Sequence, residues 1–374
     1  MDSTRTYLDH NASSPLRPEA RQAMLEALDA GGNASSVHGE GRAARNLIES
    51  AREELARSLG VPPRSVVFTS GGTEANALAL RGSGAERLIV SAVEHASVRA
   101  AAEQSGRAVD QFTVDSDGIV DLACLARSLA AGPKNALVSL MLANNETGAI
   151  QPVAEAAELT HRHGAIIHCD AAQAVGRMAV DWQGLGVDLM TLSAHKFGGP
   201  QGVGALLIRP GTSMLPLIGG GGQEFHLRGG TENVAAICGM AAAFRSALGD
   251  DADSMAAGRN RLESRLKAVS PALRIFAEGV RRLPNTSCFA LEGLLAETAV
   301  MAFDLLGVAV SSGSACSSGK VGRSHVLEAM GVPAGLARSA VRVSLGWNTT
   351  ERDLTRLVEA WRELVSRPAA RSAA

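Results

Sequence analysis

Lys196 directly follows an apolar, strand-like run and precedes glycines, in the segment SAHKFGGPQGVGALL. A lysine at the carboxyl end of a buried strand points into the crevice where open α/β sheets bind their ligands. Its amine could there form a Schiff base with a carbonyl group. The alternative is a surface lysine in a turn, which is the commoner position for this residue type. The glycines let a ligand approach the backbone closely and so favour the first interpretation.

Two further strand ends carry groups suited to a charged ligand. Asp170, at the end of AIIHCD, could face a cationic heterocycle or could simply cap the following helix. The segment SGGTEAN (70–76) places glycines and a threonine at a predicted helix start, where backbone amides and the helix dipole favour phosphate. A Gly–Gly turn alone often merely connects two elements. Together the three strand ends predict one ligand with a phosphate, a protonated ring nitrogen and a carbonyl, which is pyridoxal phosphate.

These residues lie in a chain that alternates short apolar runs with amphipathic stretches. Such runs, apolar on both faces, are typical of the inner strands of a mostly parallel sheet covered by helices. The predicted strands are 65–69, 87–91, 135–142, 164–170, 187–193 and 202–208. The stretches 72–81 and 152–163 fit the helices that connect parallel strands.

The sequence pattern changes after about residue 250. A long charged helix is followed by shorter strands and helices and by a last amphipathic helix at ERDLTRLVEAWRELV, which indicates a smaller α+β unit. We therefore assign residues 15–255 to a large ligand-binding domain. The small domain takes residues 1–14 and 256–374 and contains a serine–glycine loop at about 311–322.

Composition excludes several classes of function. The formal net charge of −2 over 374 residues gives no sign of a nucleic-acid or membrane partner held by bulk charge. No run of about 18 apolar residues predicts a transmembrane helix, and the first residues lack the apolar core of a secretory signal. We expect a cytoplasmic protein.

The five cysteines are far apart, odd in number and without a CxxC pair, which disfavours a disulfide framework or a zinc knuckle. Four of them, at 124, 169, 238 and 288, lie in apolar contexts and are interpreted as packing residues. Cys316 differs, because SSGSACSSGK surrounds it with serine and glycine. A thiol on such a flexible-looking segment is suited to reaching two different places.

The whole chain resembles the cysteine desulfurases of the NifS/IscS type, within the class V aminotransferases of pyridoxal-phosphate fold-type I. The matching segments, in the family's order, are YLDHNASSP, GNASSVHGEGR, FTSGGTEANA, EHASV, NNETGAIQP, HCDAAQAVG, SAHKFGGPQGVGAL, GGGGQEFHLRGGTEN, SGSACSSG and VRVSLG. The resemblance implies a large, mostly parallel, seven-stranded-type α/β/α domain and a smaller α+β domain.

The resemblance also implies roles for individual residues. Lys196 would hold the cofactor covalently, His95 would stack on its ring, and Cys316 would be the nucleophile. Asn145 and Arg342 would bind the substrate's carboxylate. The cofactor-binding set would comprise Gly72, Thr73, His95, Asn145, Asp170, Gln173, Ser193, His195, Lys196 and Thr231.

Thr231 would reach the phosphate of a neighbouring subunit, which implies a homodimer. Without the resemblance, His95 could be a polar residue at a helix start, Asn145 a turn residue and Arg342 a solvent-facing strand residue. His10 and Asn11 stand where many relatives have asparagine and alanine, and we assign no mechanism to that difference.

The implied reaction removes sulfur from L-cysteine, giving L-alanine and a persulfide on Cys316. The sulfur would pass to an acceptor or scaffold protein for iron–sulfur cluster assembly. A selenocysteine lyase, another class V lyase or a non-catalytic member of the family are the alternatives. No resident metal is expected, because His161, His163 and His168 lack matching acidic or cysteine ligands; Cys316 is a candidate transient iron–sulfur ligand.

Overall fold

The computed structural model describes residues 5–313 and 323–366. Its main sheet is formed by β2 (Val66–Thr69), β3 (Arg87–Ser91), β4 (Ala108–Phe112), β5 (Ala136–Ser139), β6 (Ile166–Asp170), β7 (Leu189–Ser193) and β8 (Gly204–Ile208). The strand order is β2-β8-β7-β6-β5-β3-β4. β8 runs antiparallel to both of its neighbours, and the other pairs are parallel. The predicted mostly parallel α/β sheet is thereby confirmed.

The strand missing from the sequence prediction is β4. It reads AVDQF, lies at the edge of the sheet beside β3 and is largely exposed, whereas β2, predicted as an inner strand, lies at the opposite edge and is buried. An edge strand with a solvated face has no continuous apolar run, which was the signal used for the inner strands.

Helices cover both faces of this sheet and continue into the second unit. They are α1 (Pro18–Ala30), α2 (Gly39–Leu59), α3 (Gly72–Gly82), α4 (Ala96–Glu103), α5 (Leu122–Ala130), α6 (Val153–Arg162), α7 (Trp182–Leu185), α8 (Val234–Ala247), α9 (Ala252–Val269), α10 (Ala296–Leu305), α11 (His325–Ala329), α12 (Ala334–Ala337) and α13 (Glu351–Ser366). α8 is apolar along most of its length because it packs against α1 and α2. Within the described ranges, no helix is long and apolar enough to cross a bilayer.

A second sheet is antiparallel and small. Its strands are β9 (Arg274–Ile275), β10 (Thr286–Ala290), β12 (Ser311–Ser312) and β13 (Ala340–Ser344), in the order β12-β13-β10-β9. Its core includes Trp361 of α13, whose ring meets Phe289 edge-on and stacks on Phe303. These aromatic contacts attach α13 and α10 to the sheet.

The N-terminal strand β1 (Thr6–Tyr7) pairs in parallel with β11 (Val308–Ala309), next to the second sheet. Asp9 then bridges to Ser344 of β13. From there the chain crosses to the main sheet, where Ser14 donates from its backbone to His195. Because residues 6–9 pair with β11 and β13, we propose that residues 1–14 and 256–374 form the small domain and that residues 15–255 form the large one.

Candidate active site

A cavity of about 520 Å³ opens where β2, β6 and β7 end. That volume is within the range of small-molecule and cofactor sites. It brings together ten of the twelve residues singled out from the sequence: Gly72, Thr73, His95, Asn145, Asp170, Gln173, Ser193, His195, Lys196 and Arg342. Thr231 is exposed and does not line the cavity. Cys316 lies outside the described residues.

Asp170, at the end of β6, is buried, and both of its carboxylate oxygens accept hydrogen bonds. Oδ1 accepts from the backbone of Ala172 at 3.0 Å, and Oδ2 accepts from Nδ2 of Asn76 at 2.8 Å. The same Asn76 amide donates to Ser97 Oγ at 2.9 Å. Two fixed donors orient the carboxylate in the cavity, where it could pair with a cationic ring nitrogen.

His95 has two functions in its local structure. It caps α4, because its Nδ1 accepts from the backbone of Ser97 at 3.1 Å, and its ring also lines the cavity. An accepting Nδ1 leaves the proton of neutral imidazole on Nε2. Burial lowers the pKa of His95, Asp170 opposes that shift and Lys196 reinforces it. The helix-start interpretation is therefore correct for His95 and does not compete with a role in the cavity.

Lys196 lies in a 3₁₀ turn, Ala194–Lys196, directly after β7. Its Nζ donates to the backbone carbonyls of Asn11 at 2.7 Å and Ala12 at 3.0 Å. Arg177 holds the same turn from behind, donating to the carbonyl of Lys196 at 2.9 Å and to that of His10 at 2.9 Å. The amine is thus directed into the cavity against the N-terminal segment.

The start of α3 lines one end of the cavity, where the backbone amides of a helix start favour an anion. Gly71 has a φ of 151°, which an L side chain rarely adopts, and the helix has no side-chain cap. A Cβ added to Gly72 would lie 3.3 Å from the Cβ of Ser193, so glycine permits the close approach of α3 to β7. His195 is neutral in this environment, because burial, followed by the charges of Lys196 and Arg177, lowers its pKa to about 4.

Arg342 of β13 reaches the cavity from the second sheet and is 1% exposed, so it does not face solvent. Its Nη2 pairs with Asp9 Oδ1 at 2.9 Å, and its Nη1 donates to the carbonyl of Asn145 at 3.0 Å. Its buried Nε–H has no hydrogen-bond partner among the described residues. A guanidinium held on one edge and unsatisfied on another is suited to a carboxylate.

The other histidines are hydrogen-bonded elsewhere. His168 is buried with Ser139 and Thr191 on its two ring nitrogens, and burial lowers its pKa to about 4. His161 contacts Asp188 at 2.9 Å, and the His163 ring contacts a backbone carbonyl. Across residues 5–313 and 323–366, no three His, Cys, Asp or Glu residues form a metal-binding group.

His10 is also buried, with its Nδ1 3.0 Å from Ser14 Oγ. Burial and then the charges of Arg177 and Arg17 lower the pKa of His10 to about 3, so the ring is neutral. His10 packs beside the turn that carries Lys196. The sequence alone had assigned this residue no function.

None of the four described cysteines lines the cavity. Cys169 and Cys288 are fully buried, and burial raises the pKa of each thiol. Cys124 and Cys238 are partly exposed and lie in α5 and α8. The packing interpretation agrees with these positions.

Three residues that contact the residues of the cavity had no function assigned from sequence: Asn76, Asp9 and Arg177. Asn76 and Asp9 lie inside the segments SGGTEAN and YLDHNASSP. Their contacts are made to β6 and β13, which are distant in the chain, and no local pattern reports such a contact.

The donor set of the cavity fits pyridoxal phosphate. An uncapped helix start with glycines suits its phosphate, the oriented Asp170 carboxylate suits its ring nitrogen, and the Lys196 amine suits its carbonyl. Gln173 donates from Nε2 to the carbonyl of Asn11 at 3.0 Å, and its Oε1 accepts from Arg177. Its amide orientation is therefore fixed with the nitrogen on the side of the N-terminal segment.

Comparison with known proteins gives a consistent result. The family model described as "Aminotransferase class-V" matches residues 6–357. A "Cysteine desulfurase" of Cereibacter sphaeroides is 45% identical over 95% of this chain and 94% of its own length. An "IscS-like cysteine desulfurase" of Mycobacterium tuberculosis is 40% identical over 96% of both chains.

Solved structures give the same family relationship as the sequence comparisons. A NifS-like protein from Rickettsia africae superposes with a TM-score of 0.90 at 35% identity, over 97% of this chain and all of that one. A structure titled "SspA in complex with cysteine" has a TM-score of 0.79 at 29% identity, covering 91% of this chain and 98% of its own. Class V aminotransferases depend on pyridoxal phosphate. With a family model that spans almost the whole chain and a cavity whose groups fit that cofactor, this protein belongs to the class V aminotransferase family.

Proposed function

We propose that this protein is a pyridoxal-phosphate-dependent cysteine desulfurase that takes sulfur from L-cysteine. The observation that carries the proposal is the full-length similarity, at 36–45% identity, to relatives named cysteine desulfurase. The grouping of Lys196, Asp170, His95 and Arg342 around one cavity supports it.

Each of these residues has a task that its surroundings support. Arg342 and Asn145 would bind the carboxylate of cysteine at the second-sheet side of the cavity. Asp170 would hold a positive charge on the ring nitrogen, and the α3 start would hold the phosphate. When bound, pyridoxal phosphate supplies an electron sink for negative charge at the substrate's Cα.

Lys196 would accept the proton from the substrate's Cα and return it. Its present acceptors, the carbonyls of Asn11 and Ala12, keep the amine in the cavity while it is not bonded to another group. His95, neutral with its proton on Nε2, could donate that proton inside the cavity.

The sulfur step is proposed for Cys316. Its thiolate would bond to the substrate's Sγ as the Cβ–Sγ bond breaks, and the electron pair would stay with the carbon fragment. That fragment takes up a proton and leaves as L-alanine, while the sulfur remains on Cys316 as a persulfide. No external oxidant is required. The electron pair of the thiolate forms the S–S bond, and the electron pair of the broken Cβ–Sγ bond stays on the carbon fragment, which then binds a proton.

Intact-protein and peptide mass spectra after addition of L-cysteine test this proposal. We expect one additional sulfur atom on the peptide that contains Cys316, and alanine in equal amount. Cys316→Ala should abolish that adduct and lower alanine formation by about 10²-fold or more, in line with loss of a nucleophile. Cys238→Ala, at a partly exposed cysteine away from the cavity, should leave both unchanged. Full desulfuration by Cys316→Ala would contradict the mechanism.

Asn76→Ala should weaken cofactor binding by about 10- to 100-fold, because a hydrogen bond to a charged group contributes roughly 1.5–3 kcal/mol. The reason is that Asp170 Oδ2 loses its donor and the link to Ser97 is broken. Equilibrium dialysis of pyridoxal phosphate against the apoprotein measures the effect. The exposed Asn135→Ala is the control, and equal affinity in both variants would show that Asn76 does not orient Asp170.

The proposal has further parts that come from the sequence resemblance. They are a homodimer in which Thr231 contacts the neighbouring cofactor phosphate, a protein acceptor for the persulfide sulfur that serves iron–sulfur cluster assembly, and a cytoplasmic location. The exposure of Thr231 is compatible with a contact to another subunit.

A further inference from the structure

Ser97, in the first turn of α4, had no function assigned from sequence and takes no part in the proposed reaction. Its hydroxyl connects residues that line the cavity. The Oγ of Ser97 accepts from Nδ2 of Asn76 at 2.9 Å and lies 2.7 Å from Nδ1 of His95. The same Asn76 nitrogen donates to Asp170 Oδ2 at 2.8 Å. Four side chains from α3, the start of α4 and the end of β6 therefore form one hydrogen-bonded chain.

The orientation of the Asn76 amide is set by its partners. A carboxylate only accepts hydrogen bonds, so the nitrogen of Asn76, and not its oxygen, must face Asp170. The two hydrogens of that nitrogen are then used by Asp170 Oδ2 and Ser97 Oγ. Asn76 is 1% exposed, and its Oδ1 has no hydrogen-bond partner within residues 5–313 and 323–366. Among the described contacts, the amide is held through its nitrogen.

This orientation fixes the direction of the next hydrogen bond in the chain. Because Ser97 Oγ accepts from Asn76, its own hydrogen remains for donation. The neighbouring acceptor is Nδ1 of His95, which also accepts from the backbone N–H of Ser97 at 3.1 Å. A proton on Nδ1 would face both of these donors. The neutral imidazole therefore keeps its proton on Nε2.

We propose that Ser97 is the positioning residue of His95: its hydroxyl links the imidazole to Asp170 through Asn76 and holds His95 as the Nε2–H tautomer. The inference rests on the proposed function, in which Asp170 pairs with the ring nitrogen of the cofactor and His95 donates from Nε2. Two groups that serve the same cofactor are thereby set relative to each other by α3.

A local role for Ser97 makes a different prediction. Ser97 lies two residues after the N-cap His95, and side-chain contacts of this spacing occur at helix starts. Such a contact would stabilise α4 and would be independent of Asn76. The bond between Ser97 and Asn76 spans 21 residues of the chain, and the bond between Asn76 and Asp170 spans 94. A local cap explains neither of these two contacts.

Nitrogen-15 NMR of the cofactor-loaded enzyme, labelled at histidine, tests the inference, because protonated and unprotonated ring nitrogens differ in chemical shift. The variant His95→Gln assigns the signals by the loss of one pair. At pH 7.5 the ring is neutral, since burial lowers the pKa of His95. For the natural chain we expect a protonated Nε2 and an unprotonated Nδ1 at His95.

Ser97→Ala should raise the ratio of the Nδ1–H to the Nε2–H tautomer by about 2- to 10-fold, the range expected for one lost hydrogen bond. The effect is partial because the backbone N–H of residue 97 remains. We expect kcat for L-cysteine to fall by about the same factor at unchanged KM, since Arg342 and Asn145 are untouched. Ser97→Thr keeps the hydroxyl and should retain the natural values. Ser264→Ala is the matched control, because this exposed serine of α9 donates to the backbone carbonyl of Asn260.

The variant Asn76→Ala separates the chain from a local cap. It leaves Ser97 in place but removes its donor, so with saturating pyridoxal phosphate the His95 signals should move in the same direction as in Ser97→Ala. Unchanged His95 signals in Ser97→Ala overturn the inference. Altered signals in Ser97→Ala together with natural ones in Asn76→Ala would show a local cap and overturn the link to Asp170.

The proposed function fails in a different way. If the tautomer changes in Ser97→Ala while kcat does not, the role of Ser97 stands, and the donation from His95 is not part of the reaction. If the loaded natural chain does not convert L-cysteine, the proposed function is wrong, and the nitrogen signals still decide the role of Ser97.

Discussion

Lys196→Ala is expected to lower turnover of L-cysteine by about 10³-fold or more, because positioned acid–base groups contribute typically 10²–10⁴-fold. In the natural protein the Lys196 amine is held in the cavity by the carbonyls of Asn11 and Ala12, beside Asp170 and His95. Its removal deletes both the group that would bond the cofactor and the group that would move the Cα proton.

The covalent link can be measured without turnover. Borohydride reduction of the loaded enzyme, followed by peptide mass spectrometry, should find the cofactor adduct on the peptide containing Lys196. The chain has only four lysines, at 134, 196, 267 and 320, so the assignment is direct. Lys134→Ala, at an exposed position, is the control and should retain both the adduct and activity. An adduct that persists in Lys196→Ala would place the cofactor on another lysine.

The position of Lys196 is an example of what the sequence can predict about the site. Lys196, Asp170 and Gly72 each follow a buried apolar strand, and the ends of parallel strands meet at one edge of a sheet. Their convergence is therefore predictable from the strand pattern alone. The apolar pattern of the strands found β2, which is buried although it lies at one edge of the sheet, and missed β4 at the other edge, which is polar and largely exposed.

Arg342 and Asn145 could not be placed in this way. Arg342 belongs to the second sheet, and it reaches the cavity through tertiary contacts such as its hydrogen bond to the carbonyl of Asn145. Only the family resemblance indicated its role. The contacts of Asn76 and Asp9 could not be predicted either, since each joins elements that are far apart in the chain.

A buried ion pair carries the largest expected effect on stability. Arg52 of α2 and Glu224 of the glycine-rich segment GGGGQEFHLRGGTEN (219–233) have side chains that are 1% and 0% exposed. Both terminal nitrogens of the Arg52 guanidinium, Nη1 and Nη2, donate to the carboxylate at 2.8 Å, and the backbone of Phe68 donates to it at 2.8 Å. The guanidinium also lies over the rings of Phe68 and Phe225 at 4.9 and 4.8 Å.

The Arg52–Glu224 ion pair lies at a stretch of backbone with an unfavourable conformation. Glu224 and Phe225 have φ values of 47° and 58°, in the left-handed region that residues with side chains rarely adopt. Such conformations persist where the surroundings over-determine them. The carboxylate of Glu224, fixed to α2 and to β2, provides that constraint and connects the glycine-rich segment to the strand that leads to the α3 start.

Arg52→Met should lower the free energy of unfolding by about 3–5 kcal/mol, because it leaves the Glu224 carboxylate buried without its partner. Urea unfolding, with the midpoint and slope followed separately, measures the loss. The double variant Arg52→Met/Glu224→Met should recover much of it, since replacing both ions with apolar side chains removes the uncompensated charge. Arg162→Met, in an exposed pair with Glu158, should cost under about 1 kcal/mol and serves as the control. If the double variant were as unstable as Arg52→Met, the instability would come from lost packing around Phe68 and Phe225 and not from an unpaired carboxylate.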